Sequence, residues 1–490
     1  MNAIKGLLLA TAAGLVAMSS AQAADLPVKA KPVEYVKVCS LYGAGFFYVP
    51  GTDTCLKIGM YLRSDMVYGA GTVAGYNNTG ATSEYTRTDT NFYSQRARIN
   101  LTTDWRTQSD YGVIRAYAAI IAQNTSPTDA ASTGVAGILR AFIQFAGFTA
   151  GHAVSYFDFF NGADYGYLPS TWGASTGVNG TNLIAYTWQL GNGVSASIDL
   201  EDGSQARTKR VVNASGTAAF AATSAATLDV QGAWSPDIAG NIRIDQAWGS
   251  AQLSGAMHNM SGGYYGGLGA ANTANGNVQN NGHPGDAWGY AVQGGVRFLN
   301  FLAPKDVFEA SVYYCNGATT YCVSTPSTSM YGSGNTLGYG VAVDGVFTSN
   351  GSIEKTESWG FQAAYQHFWN AQWRTSVVGG YTETNYSSTA AAMLCGTATN
   401  STNQYAFTLA SGACDPSFSQ TSVSTRTAWN PHPTLEIGVD LIWTHLDTAM
   451  GGAVTTAAFN PGGGRGTGPY TFQDQDRYIG VLRFQKTVLP

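Results

Sequence analysis

From Lys57 to Met66 the chain alternates residue by residue. Lys57, Gly59, Tyr61, Arg63 and Asp65 interleave with Ile58, Met60, Leu62 and Met66. Arg96, Arg98, Asn100 and Thr102 do the same with Ala97, Ile99 and Leu101, and Arg115 and Tyr117 with Ile114, Ala116, Ala118 and Ile120. Further on, Leu139, Ala141, Ile143 and Phe145 fall on one face, and Arg140, Phe142, Gln144 and Ala146 on the other. Side chains of a strand point to opposite faces with a period of two, so each segment predicts a strand with one apolar and one wet side. The pattern recurs less cleanly near 182–190, 194–201, 237–248, 252–260, 288–298, 306–314, 359–368, 373–386 and 423–429. It is clear again at 434–446 and 476–486. With a short strand after Ala146-Gly147 the total is about sixteen, an even number as bacterial outer-membrane barrels require.

The connections alternate in kind. Short links near 105–109, 191–193, 249–250, 302–305 and 370–372 alternate with long ones rich in Gly, Ser, Thr and Asn. Short turns at one end and long loops at the other are the signature of such a barrel, and closure satisfies every backbone group inside lipid. Composition agrees. Charged residues are 11% of the chain, against about 25% in ordinary globular domains. Mean hydropathy is −0.07, and no apolar run after the N-terminus reaches the roughly 20 residues a membrane helix needs. Trp359, Phe361, Phe368, Trp373, Tyr381, Trp443, Tyr478 and Phe484 sit near the ends of apolar faces, where interfacial girdles belong. The fold class expected is all-β: a transmembrane antiparallel β-barrel of about sixteen strands with long external loops.

Residues 1–23 read as a cleaved signal peptide: Lys5 starts it, a short apolar run follows from Gly6, and Ala21-Gln22-Ala23 gives an A-x-A site. Residues 24–54 are expected to form a Pro- and Lys-rich periplasmic leader with the first disulfide segment, and residues 55–490 the barrel. An exported chain meets an oxidising compartment, so the six cysteines are expected to pair. Six allow 15 connectivities; the nearest-neighbour one, Cys39 with Cys55, Cys315 with Cys322 and Cys395 with Cys414, clips each local loop. Zinc is disfavoured because the six histidines are scattered and no C-x-x-C occurs. No basic stripe suggests a nucleic-acid partner.

The segment from Leu139 to Pro169 passes from a strand through a Gly turn and a second short strand into a long loop with several aromatic residues and two acids, Asp158 and Asp164. Loops of that length inside a compact fold are usually functional or disordered. Arg63, Arg96, Arg98, Arg115 and Arg140 come from four early strands and face the wet side. Strands lie ~4.8 Å apart, so these guanidiniums are expected to form one basic patch on the inner wall. Glu436 and Asp440 face inward on a late strand, and Asp158 and Asp164 offer acids from the loop. Lys57, Arg243, Arg297, Arg374 and Arg483 read as general lumen charge. Enzyme signals are weak. Gly173-Ala174-Ser175-Thr176-Gly177 fits G-x-S-x-G but sits in the loop and on no strand-to-helix elbow. Gly462 to Gly466 lacks the Lys-Ser/Thr of a phosphate cradle. His445 and Asp447 close a strand end, where they bond locally. No catalytic residue, cofactor or metal is expected, and no enzyme activity.

Cys39, Tyr42-Gly43-Ala44-Gly45, Phe46 to Gly51, Asp53-Thr54-Cys55 and Arg63 resemble the outer-membrane general diffusion porins of alphaproteobacteria, the rhizobial and Brucella type. The Phe145-Ala146-Gly147 turn, the stretch from Pro236 to Gly255 and the closing Gly480 to Lys486 agree, so the resemblance covers essentially the whole mature chain. It implies a third external loop folded into the lumen, facing an arginine-lined wall, and a homotrimer in contact with outer-membrane lipid and lipopolysaccharide. A wet lumen with acids on one side and bases on the other sets a transverse field that sorts solutes. The expected function is a water-filled passive pore for small hydrophilic solutes and ions. The alternative is an outer-membrane barrel with a closed lumen, used as an adhesin or carbohydrate-binding surface protein.

Overall fold

The computed structural model describes residues 37–69, 93–126, 134–168, 173, 175–176, 179–204, 210–214, 229–232, 234–265, 281–323, 329–333, 335–348, 351–395, 414–454 and 468–489. The signal peptide and residues 24–36 of the segment expected at 24–54 lie outside them, as does the Gly462–Gly466 stretch. Sixteen long strands follow one another: β1 Thr54–Tyr68, β2 Tyr93–Ser109, β3 Gly112–Ser126, β4 Val135–Phe145, β5 Phe148–Ala153, β6 Thr181–Gly191, β7 Val194–Glu201 and β8 Asp237–Gln246. Then come β9 Gly249–Met260, β10 Ala287–Leu299, β11 Val307–Asn316, β12 Glu357–Phe368, β13 Trp373–Asn385, β14 Phe418–His432, β15 Leu435–Thr448 and β16 Gln475–Leu489. Each pairs antiparallel with the next, and β16 pairs back onto β1, with Arg63 opposite Gln485 and Asp65 opposite Arg483. That last ladder closes the sheet and leaves no edge in lipid.

The all-β expectation and its strand count hold; the boundaries move. The link expected near 105–109 is a two-residue turn at Asp110-Tyr111, because Trp105, Arg106 and Thr107 continue the ladder opposite Leu56, Cys55 and Thr54. Likewise β9 begins at Gly249, whose φ of +142° carries the chain out of the Ala247-Trp248 turn. A Cβ there would meet the Arg297 carbonyl oxygen at 1.8 Å, so only glycine fits.

Alternation puts the apolar side chains outside. Leu62, Ile99, Ile143, Ile184, Leu253, Val312 and Leu441 are exposed large hydrophobics, which is the lipid-facing surface of a barrel. Aromatic rings collect at both borders of this band. At the short-turn end Trp373 stacks on Trp429 (5.8 Å between centroids) and Phe301 on Phe308 (5.0 Å). At the long-loop end Trp359 meets Tyr381 (5.5 Å) and Tyr290 meets Tyr314 (6.1 Å).

All three nearest-neighbour disulfides are present: Cys39–Cys55, Cys315–Cys322 and Cys395–Cys414. The first ties a small lobe to the short-turn mouth, where the Arg106 guanidinium lies 4.9 Å over the Phe46 ring. The long loops build structure that strand periodicity does not reveal. Val211–Asn213 pairs parallel with Gly345–Phe347, Thr336–Leu337 with Thr471–Phe472, and a short helix, α1, spans Ser388–Cys395. Val212, Leu337, Tyr339, Val346, Leu394 and Phe472 give these loops a hydrophobic core of their own.

Candidate pore constriction

The third long loop connects β5 to β6, and the path of its described residues is set by the inner wall they touch. Tyr156 N donates to Asp199 Oδ2 on β7 (3.2 Å), and its carbonyl accepts from Asn241 Nδ2 on β8 (2.6 Å). Gln252 of β9 donates to the Asp158 carbonyl (3.1 Å). Phe159 lies under the Arg243 guanidinium and against Gly295 of β10, where a Cβ would stand 2.2 Å from the ring. Tyr165 Oη donates to Glu309 of β11 (2.5 Å), and its carbonyl accepts from Ser376 of β13 (2.7 Å). Arg426 of β14 donates to the Asp164 carbonyl (2.8 Å).

Tyr167 ends this run. Its N donates to Asp440 Oδ2 (2.6 Å) and its Oη to Glu436 Oε1 (2.8 Å), both on β15. Its ring is covered by the Arg483 guanidinium at 4.1 Å. Gly438 makes room: a Cβ there would lie 1.9 Å from Tyr167 Oη. The loop is thus fastened to the wall of β7 through β16 by hydrogen bonds, several of them to charged groups and each worth roughly 1.5–3 kcal/mol.

The remaining wall, β1 through β4, stays half-open. Arg63, Arg98, Arg115 and Arg140 are all partly accessible, whereas Arg426 and Arg483 across the barrel are buried under the loop. Register decides which arginines meet. Arg63 stands directly opposite Arg98, and Arg96 opposite Asp65. Arg63 donates to Gln485 (2.8 Å) and Arg98 to Gln123 (2.8 Å). Arg96 is buried; with Arg483 it clamps Asp65 at 2.8 and 2.6 Å. Arg115 stands opposite Arg106 at the short-turn end, and both hold Asp104 (3.0 and 2.8 Å). Arg140 stands opposite Ala119, midway between these levels, and donates to the Leu139 carbonyl.

The five arginines therefore form a staircase and not the single patch that strand spacing suggests. The eight steps from Arg115 to Gln123, which stands opposite Arg98, span about 27 Å of strand. The acids divide in a similar way. Asp440 is fully buried and Glu436 is paired with Arg374, so both secure the loop. Asp158 turns back to accept from Thr176 N (2.5 Å) and Thr176 Oγ1 (2.6 Å), closing the loop on itself. Asp164 is exposed and bonds only weakly to Asn161 (3.3 Å) within its own turn. Asp65, Asp104, Arg426 and the two tyrosines Tyr165 and Tyr167 were not singled out by sequence; their roles depend on register and on the loop's path. Ser175 lies 3.5 Å from Asp158, in the loop and without a strand-to-helix elbow.

A second insertion meets the first. The sixth long loop sends a turn, Ala318–Val323, inside the wall, stapled by Cys315–Cys322. The Tyr321 ring packs edge-on against Phe157 (5.0 Å), and its Oη reaches Glu201 (2.5 Å) and Asp237 (3.0 Å). Below it, buried His258 lies between Asp237 (2.6 Å) and Asp344 (3.4 Å).

A closed sixteen-strand barrel with an apolar exterior, two aromatic borders and a loop fastened inside defines an outer-membrane β-barrel of the porin class. The sequence model of the porin subfamily matches residues 25–477, and the chain belongs to that family. It is similar to the porin Omp2b of Brucella suis biovar 1 (strain 1330), 34% identical over 256 residues. Omp2b of Brucella abortus (strain 2308) gives the same identity over the same length. These matches cover 50% of this chain and 64% of the relatives' length. Among solved structures the fold is similar to the outer membrane channel DcaP of Acinetobacter baumannii, with a TM-score of 0.57 at 15% identity over 90% of this chain and 99% of that one. The chain is a multi-pass β-barrel of the bacterial outer membrane.

Proposed function

We propose that this barrel is a passive pore that lets small hydrophilic solutes and ions cross the outer membrane down their gradients, with no chemical step. One observation carries the reading. The third and sixth loops lie against the inner faces of β7–β16 and bury Arg426 and Arg483, while on β1–β4 the inward Lys57, Tyr61, Arg63, Arg98, Arg115, Arg140 and Gln144 keep solvent access around a buried frame of Asp65, Arg96 and Asn100. A lumen filled by packing would bury both walls alike. A path between the loop and β1–β4 would pass Arg63 and Arg98 on one side and Asp164 on the other. These are the fixed charges we assign to ion sorting. Arg115 and Arg140 extend the basic wall toward the short-turn mouth, and Arg96, Glu436, Asp440 and Asp158 hold its frame.

The family resemblance further supports a homotrimer surrounded by outer-membrane lipid and lipopolysaccharide. On the outer face of β2–β4, Ala97, Ala122 and Ala136 line a shallow apolar groove, a surface of small side chains that would let a neighbouring barrel approach. Residues 1–23 are then removed on export, and 24–54 form the periplasmic leader. Reversal-potential measurements on single channels under a salt gradient test the charge assignment. Arg63→Ala with Arg98→Ala shifts preference toward cations while the barrel keeps its heat-modifiable mobility on gels. An unchanged reversal potential removes those two residues from the constriction.

A further inference from the structure

The outward side of β15 and β16 carries a cluster that the lumen does not use. His445 and Asp447 are two residues apart on β15, so they share its outer face with Trp443. Asp476 stands opposite His445 in register, and Asp474 immediately precedes β16. His445 Nδ1 is 2.9 Å from Asp476 Oδ1, and Nε2 is 3.1 Å from Asp447 Oδ1. One ligand atom each of His445, Asp447 and Asp474 lies within 4.8 Å of the others.

The surroundings fix these groups. Asp447 Oδ2 accepts from Ser419 Oγ on β14 (3.0 Å), Asp474 Oδ1 from the Thr448 N–H (3.0 Å), and Asp476 Oδ1 from Trp443 Nε1 (2.7 Å). The Trp443 and His445 rings stack with centroids 5.9 Å apart. The cluster remains reachable: the side chains of Asp447 and Asp476 are 50% and 48% exposed. Three carboxylates thus surround one imidazole, and among the described residues no Lys or Arg forms an ion pair with any of them.

The donor chemistry is specific. A histidine that binds a metal through one ring nitrogen characteristically gives the other N–H to a carboxylate, which fixes tautomer and ring orientation. Asp476 stands in that position at Nδ1, leaving Nε2 for an ion. Imidazole with carboxylate oxygen suits zinc and its first-row neighbours better than calcium or magnesium, which favour all-oxygen sites. A tetrahedral zinc with ligands at about 2.0–2.2 Å holds them roughly 3.3–3.6 Å apart. We propose that His445 Nε2, Asp447 and Asp474 bind a divalent metal ion of the zinc class on the outer rim of the barrel, with Asp476 as the orienting group. Three protein ligands leave a fourth position open to water or to an anionic headgroup beside the rim. Binding releases any proton carried on Nε2.

Equilibrium dialysis of untagged, detergent-folded protein against Zn²⁺ tests this, with Cu²⁺ quenching of Trp443 fluorescence as a second readout. The expected result is one zinc per chain. His445→Gln weakens binding by about 100-fold or more and abolishes the Trp443 quench, and Asp476→Asn weakens it about 10- to 100-fold by freeing the ring. Affinity falls as the pH drops through the imidazole range, because protons compete for Nε2. The residues face away from the lumen, so single-channel conductance stays unchanged in every variant, and failure of the site is distinguishable from failure of the pore. Less than one zinc bound per chain, or His445→Gln and Asp474→Asn binding as the unmodified protein does, overturns the proposal.

Discussion

Tyr167 shows how much one side chain does here. Two hydrogen bonds, a guanidinium on its ring and the space left by Gly438 hold the third loop at the far wall. Tyr167→Ala is expected to cost about 3–5 kcal/mol of loop anchoring, as for other buried aromatic truncations. It should raise single-channel conductance and its fluctuations. Gly438→Val should give the same phenotype from the opposite side by expelling the ring; normal conductance in both variants would mean that the loop is fixed elsewhere. Tyr167→Phe removes only the Oη bond, and Glu436 keeps Arg374, so the loss should be near 1–1.5 kcal/mol. At this scale the sequence was half legible. Period two identified Arg63, Arg98, Glu436 and Asp440 as inward residues, because facing is a local property of a strand. Partners were hidden, since register places Arg63 opposite Arg98 and Arg96 opposite Asp65, and Arg115 reaches diagonally to Asp104. Loop conformation makes Asp440 an anchor and not a lumen charge.

At the scale of elements, the sixth loop's stapled turn and its seat are the least expected feature. Thr319 donates to Asp344 Oδ1 from its backbone N (2.7 Å) and its Oγ1 (2.8 Å), and Arg210 N donates to Oδ2 (2.7 Å). Burial works against a charged Asp344, but His258 and the Thr319 donors outweigh it and hold the carboxyl below the usual carboxylate range. A carboxylate depressed in the folded state adds stability that is complete above the unfolded value, about 3.9, and is lost as pH falls through the folded value. Acidification through and below the usual carboxylate range should therefore loosen this turn from Phe157 and make channel currents noisy, while the barrel strands keep their β-sheet circular dichroism. Asp344→Asn should bring the same noise at pH 7. Quiet currents under both conditions would separate this loop from the pore. Replacing Cys315 and Cys322 together by serine should act in the same direction. Strands were legible because alternation is imposed by lipid on one side and water on the other. The loop core around Leu337, Leu394 and Phe472 was not, because no repeating environment imprints a period on it.

At the scale of the whole molecule, closure of β16 onto β1 makes a membrane-spanning wall from strands that are individually weak signals. The low charge content and the absence of a long apolar run follow from that wall: half its residues face lipid and half face the interior. Two inserted loops then divide the inside into a covered side and an open side lined by arginines. The most direct test of that division is single-channel recording of the refolded mature protein in a planar bilayer under a salt gradient. Stepwise openings, in groups of three for a trimer, with a reversal potential that moves toward cations in the Arg63→Ala, Arg98→Ala variant, are the predicted result. A folded, heat-modifiable barrel that passes no current would contradict the open pore and would direct attention to the long loops as a ligand-binding surface.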